Sequence, residues 1–185
     1  MPDNLIFQIL PQLTKDNLIS LAAQVTGVVP VSIGSFRVST NTLDPDKGPR
    51  EILNKLATTL QINQPYIYYV EVMNNANLSN VQMAFSTAKQ RDKNLRYYPR
   101  PLNQQSKNLY VGSSEKIIQR IKEHLGYGSP KTYSLQLAHW ANGLDLELDF
   151  VYAKYDRQVP SEVVQAIEDM LWDRLTPMFG RKGKR

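Results

Sequence analysis

Residues 109–124 read Leu-Tyr-Val-Gly-Ser-Ser-Glu-Lys-Ile-Ile-Gln-Arg-Ile-Lys-Glu-His, and they restrict this chain most. Leu109, Tyr110 and Val111 are β-formers, and Gly112 allows the backbone to turn without a Cβ penalty. Ser113 or Ser114 is positioned to cap a helix, whose apolar stripe is Ile117, Ile118 and Ile121. A strand, a tight turn and a helix in so few residues predict an α/β unit. Arg120 and His124 lie four apart, so they share one helical face. With Tyr110 they form a cationic, hydrogen-bonding constellation that suits a phosphate diester. The plainer alternative is an Arg and a His on a solvated helix face.

Composition narrows the classes. The 185 residues are 42% hydrophobic, which fits one sizeable globular domain, alone or with a small appendage. No apolar run is long enough to span a bilayer, and the N-terminus lacks a secretory pattern, so a cytoplasmic (intracellular) protein with no membrane partner is expected. The absence of cysteine excludes disulfides, thiolate nucleophiles and cysteine zinc sites. His124 and His139 are the only histidines, which excludes multi-histidine metal sites.

The net charge of +5 is unevenly distributed. Between Asn74 and Asn108, Lys89, Arg91, Lys93, Arg96, Arg100 and Lys107 face Asp92 alone. Arg181, Lys182, Lys184 and Arg185 form a second basic segment at the C-terminus. Two such segments on a mildly acidic body predict a phosphate-backbone footprint, with solvated loops and a frayed end as the alternative.

Along the chain, Thr14 or Asp16 is expected to cap a helix through Leu18, Leu21 and Val25. Residues 28–38 read as extended, residues 41–49 as a loop, and residues 50–60 as a helix. Residues 1–60 thus read as a mostly helical extension, serving packing, a partner or substrate recognition. Residues 66–73 are a strand, with Tyr66 and Tyr68 on one face. Ser79 or Asn80 is expected to begin a helix inside the segment 74–108, whose end interleaves Arg96 and Arg100 with Tyr97 and Tyr98. Arginines among tyrosines fit phosphate contacts combined with base stacking. Residues 132–140 look helical, and the alternation of residues 144–155 predicts an edge strand with Asp145, Glu147 and Asp149 facing solvent. Those three acids are also a weaker candidate cation site. The last helix begins at Pro160-Ser161-Glu162 and stops before Pro177. Glu162 and Glu168 on it are both candidate metal ligands.

These segments together resemble the GIY-YIG nuclease family over residues of about 62 to 185. Tyr66-Ile67-Tyr68 stands for the first motif, with Tyr66 where the family usually has glycine, and Tyr110-Val111-Gly112 stands for the second. Arg120 follows Gly112 by eight residues, and His124 comes one turn later. Glu168 precedes Pro177 with the family's E-x(8)-P spacing, which favours it over Glu162. Phe179-Gly180 stands where the family usually has an asparagine.

The resemblance implies a small three-stranded, mainly antiparallel sheet flanked by helices, covering residues 61–185, with the basic segment 74–108 as an insertion. It implies a divalent-metal-dependent endonuclease hydrolysing DNA, of restriction, mobile-element or repair type. Tyr68, Tyr110, Arg120, His124 and Glu168 would form its catalytic set, with Glu168 holding Mg²⁺ or Mn²⁺. Tyr68 would position or deprotonate the attacking water, and Arg120 would brace the scissile phosphate. The six cations of the insertion would contact DNA. The alternatives are a non-catalytic nucleic-acid-binding protein on the same fold and a structural partner acting through residues 1–60.

Overall fold

The computed structural model describes residues 4–100 and 104–183, and the side chains of residues 4–9 are left aside. Its centre is an antiparallel sheet of β1 (Ser32–Ser39), β2 (Tyr66–Val72), β3 (Asn108–Ser114) and β4 (Glu147–Lys154). The strand order is β1-β4-β2-β3. The sheet therefore has four strands where three were expected. The additional strand comes from residues 1–60, whose extended segment pairs with β4 from Ser32 opposite Lys154 to Ser39 opposite Glu147.

That pairing also corrects the reading of the acidic strand. β4 lies inside the sheet between β1 and β2 rather than at its edge. One of the carboxylates, Asp149, finds a cross-strand partner: Arg37 on β1 lies 3.5 Å from it. Asp145 precedes the strand in a left-handed turn and accepts from the Asn41 amide at 2.6 Å. Among the described residues, no cluster of three His, Cys, Asp or Glu side chains is arranged to hold a metal.

Among the described residues, five α-helices accompany the sheet: α1 (Asn4–Val25), α2 (Arg50–Thr59), α3 (Leu78–Arg91), α4 (Ile117–Leu125) and α5 (Ser161–Leu175). α1 begins well before Thr14 and Asp16, which lie inside it; Asp16 bonds Gln12 one turn earlier. α3 is capped by Asn77, whose side chain accepts from the backbone N–H groups of Ser79 and Asn80. Neither Ser113 nor Ser114 caps α4, because β3 continues to Ser114 and the helix opens after Lys116. The helix ends at Gly126 with φ of 102°, the left-handed conformation that glycine adopts without steric cost. Residues 132–140 contain only a 3-10 turn at Leu137–His139. Gln136 enters the left-handed region at φ 55°, which interrupts any longer helix. Leu135, Leu137, Ala138 and Trp140 are nevertheless buried.

The main core joins residues from the whole chain: Val38, Leu43, Leu56 and Leu60 pack with Tyr66, Phe85, Leu109, Trp140, Phe150 and Phe179. Residues 1–60 therefore contribute packing, whatever else they do. Phe179, two residues after Pro177, stacks on Phe85 with ring centroids 4.0 Å apart. Each such fully buried aromatic contributes about 1.5–3 kcal/mol of burial free energy. On the other face, Ile67, Tyr155 and Val164 form a smaller cluster beneath α5. β2 is thus covered on both faces, as its near-continuous apolar sequence requires.

Candidate active site

β3 builds the site. Its backbone pairs Gly112 with Tyr68 of β2, and Ser113 with Ile67. Strand alternation therefore directs Tyr110 and Gly112 towards the tyrosine face, and Ser113 towards the face under α5. A Cβ at Gly112 would approach the Tyr110 ring and the Tyr68 hydroxyl, each at 2.9 Å. Glycine is needed there because two phenol rings converge on the backbone. Gly180, at φ 103°, gives Tyr110 similar room on its other flank.

Arg120 projects from α4 into this pair. Its Nε donates to the Tyr68 oxygen at 3.1 Å and its Nη2 to the Tyr110 oxygen at 3.1 Å. Nη2 also donates to the Tyr133 carbonyl at 2.8 Å, and Nη1 to Glu123 at 3.0 Å. At least four of its five N–H donors are thereby engaged. Burial alone would disfavour the charge. The Tyr68 and Tyr110 oxygens, the Tyr68 hydrogen bond and Glu123 outweigh it and hold the guanidinium above its ordinary pKa.

His124, one turn further along, is fully buried. The Leu135 backbone N–H donates to its Nδ1 at 3.2 Å, so Nδ1 is an acceptor and the ring proton is on Nε2. That Nε2–H donates to the Tyr68 oxygen at 2.8 Å. Tyr68 thus receives bonds from both Arg120 and His124 and is only 2% exposed. The fold brings Tyr68, Tyr110, Arg120 and His124 together. Tyr68 and His124, however, form the interior of the cluster, and Tyr110 and Arg120 face outward.

Those outward residues line a cleft of about 490 Å³ with Glu168, Tyr133, Arg100 and Arg181. Glu168 is 7% exposed and accepts from the Ser113 hydroxyl at 2.5 Å. Ser113 lies on the α5 face and Tyr110 on the opposite one, so the cleft straddles the outer edge of β3. Residues after Pro177 border it: Met178 and Phe179 donate backbone bonds to Asn108 and Leu109, and Gly180 to Arg100. Glu162 lies instead at the exposed start of α5 beside Ser161. Glu168 is the carboxylate of this cleft. A single carboxylate suits a hard cation such as Mg²⁺, which keeps several waters and completes its shell with substrate phosphate oxygens.

The six cations of segment 74–108 have different surroundings. Arg100 lines the cleft. Lys89 donates to the Pro99 carbonyl at 3.2 Å; burial, then the charge of Arg100, hold its pKa below the ordinary value. Arg91 is tied to Asp92 and to the His139 carbonyl, and Arg96 reaches Gln136 at 3.4 Å. Lys93 and Lys107 are exposed. From the C-terminal segment, Lys182 pairs with Asp173 and Arg181 lines the cleft, while Lys184 and Arg185 lie outside the described residues.

Sequence reasoning missed Glu123, Ser113, Tyr133 and the cleft position of Arg181. Only Glu123 carried a signal, its i, i+3 spacing from Arg120. No family model matches the chain, and no curated protein or solved structure matches it.

Proposed function

We propose that this chain is a divalent-metal-dependent endonuclease of the GIY-YIG type, acting inside the cell and hydrolysing DNA phosphodiesters at the β3 cleft. One observation carries the reading. Tyr68 of β2, Tyr110 of β3, Arg120 and His124 of α4 and Glu168 of α5 come from four elements, and all five join the two hydrogen-bond networks that line or back one basic cleft.

The roles follow from position. Tyr110 accepts from Arg120 and lines the cleft, so its own O–H donates to a non-bridging oxygen of the scissile phosphate. Arg120 polarises that phenol and counters the charge that grows on phosphorus oxygens in the transition state, a fixed-donor effect. Tyr68, His124 and Glu123 are positioning residues that fix the guanidinium before substrate arrives. Arg100 and Arg181 at the rim neutralise flanking phosphates. Glu168 would hold Mg²⁺ or Mn²⁺, which supplies Lewis-acid stabilisation of the phosphate oxygens and leaving group. Water adds to phosphorus, the bond to the 3′ oxygen breaks, and that oxygen takes up a proton.

The engagement of Arg120 by four partners favours one second reading, a nucleic-acid-binding protein without cleavage. The two separate in one experiment. Native protein and Glu168→Ala are compared for plasmid cleavage with Mg²⁺ or Mn²⁺, and for DNA binding in a chelator. Cleavage lost and binding kept by the variant supports the nuclease. Binding by both and cutting by neither supports the second reading.

A further inference from the structure

Tyr133 at the cleft and Tyr97 beside it expose aromatic rings to solvent. Tyr133 is 63% exposed and Tyr97 38%. Their rings stack on each other with centroids 5.0 Å apart and planes 27° from parallel. They are held firmly all the same. Tyr97 N–H donates to the Pro130 carbonyl at 2.7 Å, which joins the two loops. Lys131 lies over the Tyr97 ring at 5.1 Å and donates to the Asn94 carbonyl at 2.5 Å. Tyr133 lines the cleft, and its carbonyl accepts from the Arg120 guanidinium at 2.8 Å.

We infer that the Tyr97–Tyr133 pair is a stacking platform for an unpaired nucleotide next to the scissile phosphate. This rests on the nuclease reading and names its substrate class: nucleic acid carrying a single-stranded segment, such as a flap, gap or loop. An exposed aromatic face gives a base a sequence-independent stacking partner. Lys131, Arg100 and Arg120 around it supply the charge complementary to a phosphate backbone. A base inside an intact duplex is stacked on both of its faces and has none to offer; only an unpaired or extruded base does. Because the Tyr133 backbone is bonded to Arg120, a base stacked on Tyr133 sets where its adjoining phosphate meets the guanidinium.

The test is binding of a fluorescein-labelled oligothymidylate and of a matched perfect duplex, with calcium in place of magnesium. Native protein is expected to bind the single strand more tightly than the duplex. Tyr133→Ala is expected to weaken the single strand roughly tenfold, Tyr133→Phe to restore native affinity, and the salt slope to stay unchanged because no charge is altered. Native-like single-strand binding by Tyr133→Ala, a preference for perfect duplex, or no nucleic-acid binding at all would overturn the platform. If Tyr133-dependent binding is found but no DNA is cut when Mg²⁺ or Mn²⁺ is restored, the platform stands and the nuclease reading alone fails.

Discussion

Removing the Tyr68 hydroxyl and removing the Tyr110 hydroxyl should have opposite consequences. In Tyr68→Phe the ring stays, so no cavity forms, but two buried donors lose their acceptor: Arg120 Nε and His124 Nε2. A buried donor left unsatisfied costs about 1–3 kcal/mol. Arg120 keeps three other bonds, so its share falls at the low end, and the total is about 2–4 kcal/mol. Tyr110→Phe removes an acceptor at the cleft, where water can replace it, and should cost no more than about 1 kcal/mol. Urea unfolding reads both. With a slope near 2 kcal/mol/M, Tyr68→Phe should lower the midpoint by roughly 1–2 M without changing the slope. Tyr110→Phe should leave the midpoint almost unmoved while abolishing most cleavage. Equal midpoints for the two variants would refute the assignment of Tyr68 to the interior and Tyr110 to the cleft.

Gly112→Ala brings a methyl within 2.9 Å of both the Tyr110 and Tyr68 side chains, and overpacking of this kind costs about 1–3 kcal/mol; calorimetry should show a lowered melting temperature and the cleft chemistry should be lost with it. Asp92 is buried and accepts from Arg91 and, at 2.7 Å, from the Tyr98 hydroxyl. Asp92→Ala leaves that phenol unpaired and should destabilise by about 2–3 kcal/mol in urea, whereas a loss below about 0.5 kcal/mol would contradict the buried pairing. Burial first, and then Arg96 and Arg91 against the opposing Gly126 bond and Asp92, hold His139 below its ordinary 6.5. A histidine depressed in the fold gives its full stabilisation above 6.5, and that stabilisation is lost as pH falls through the folded value. The urea midpoint of the native chain should therefore decline below neutrality more steeply than that of His139→Gln; parallel profiles would exclude the effect.

The strand and the helix of residues 109–124 were legible because their information is local, β-formers and an apolar repeat, whereas Gly112 is no turn: β3 runs through it to Ser114, and its lack of a Cβ serves the two phenol rings instead. The convergence of Tyr68 with Tyr110 was visible only through motif order, since pairing two strands so far apart in sequence leaves no periodic trace. The fourth strand escaped for a related reason. Residues 28–38 read as extended, but β1 finds its partner more than a hundred residues later, and alternation cannot tell an edge strand from an inner one. Residues 132–140 misled because their apolar spacing is core packing of an irregular segment, held by bonds such as Trp140 Nε1 to the Leu135 carbonyl at 2.6 Å. Glu168 was readable from its distance to Pro177, whereas its Ser113 partner was not, because Ser113 resembled a helix cap.

The most direct test is incubation of the native chain with supercoiled plasmid and with a branched or gapped duplex, in Mg²⁺ or Mn²⁺, alongside Arg120→Ala and Glu168→Gln. The account predicts cut product from the native protein, carrying a free 3′ hydroxyl, and none from either folded variant. Intact DNA in every native reaction, or cleavage retained by both variants, would contradict it.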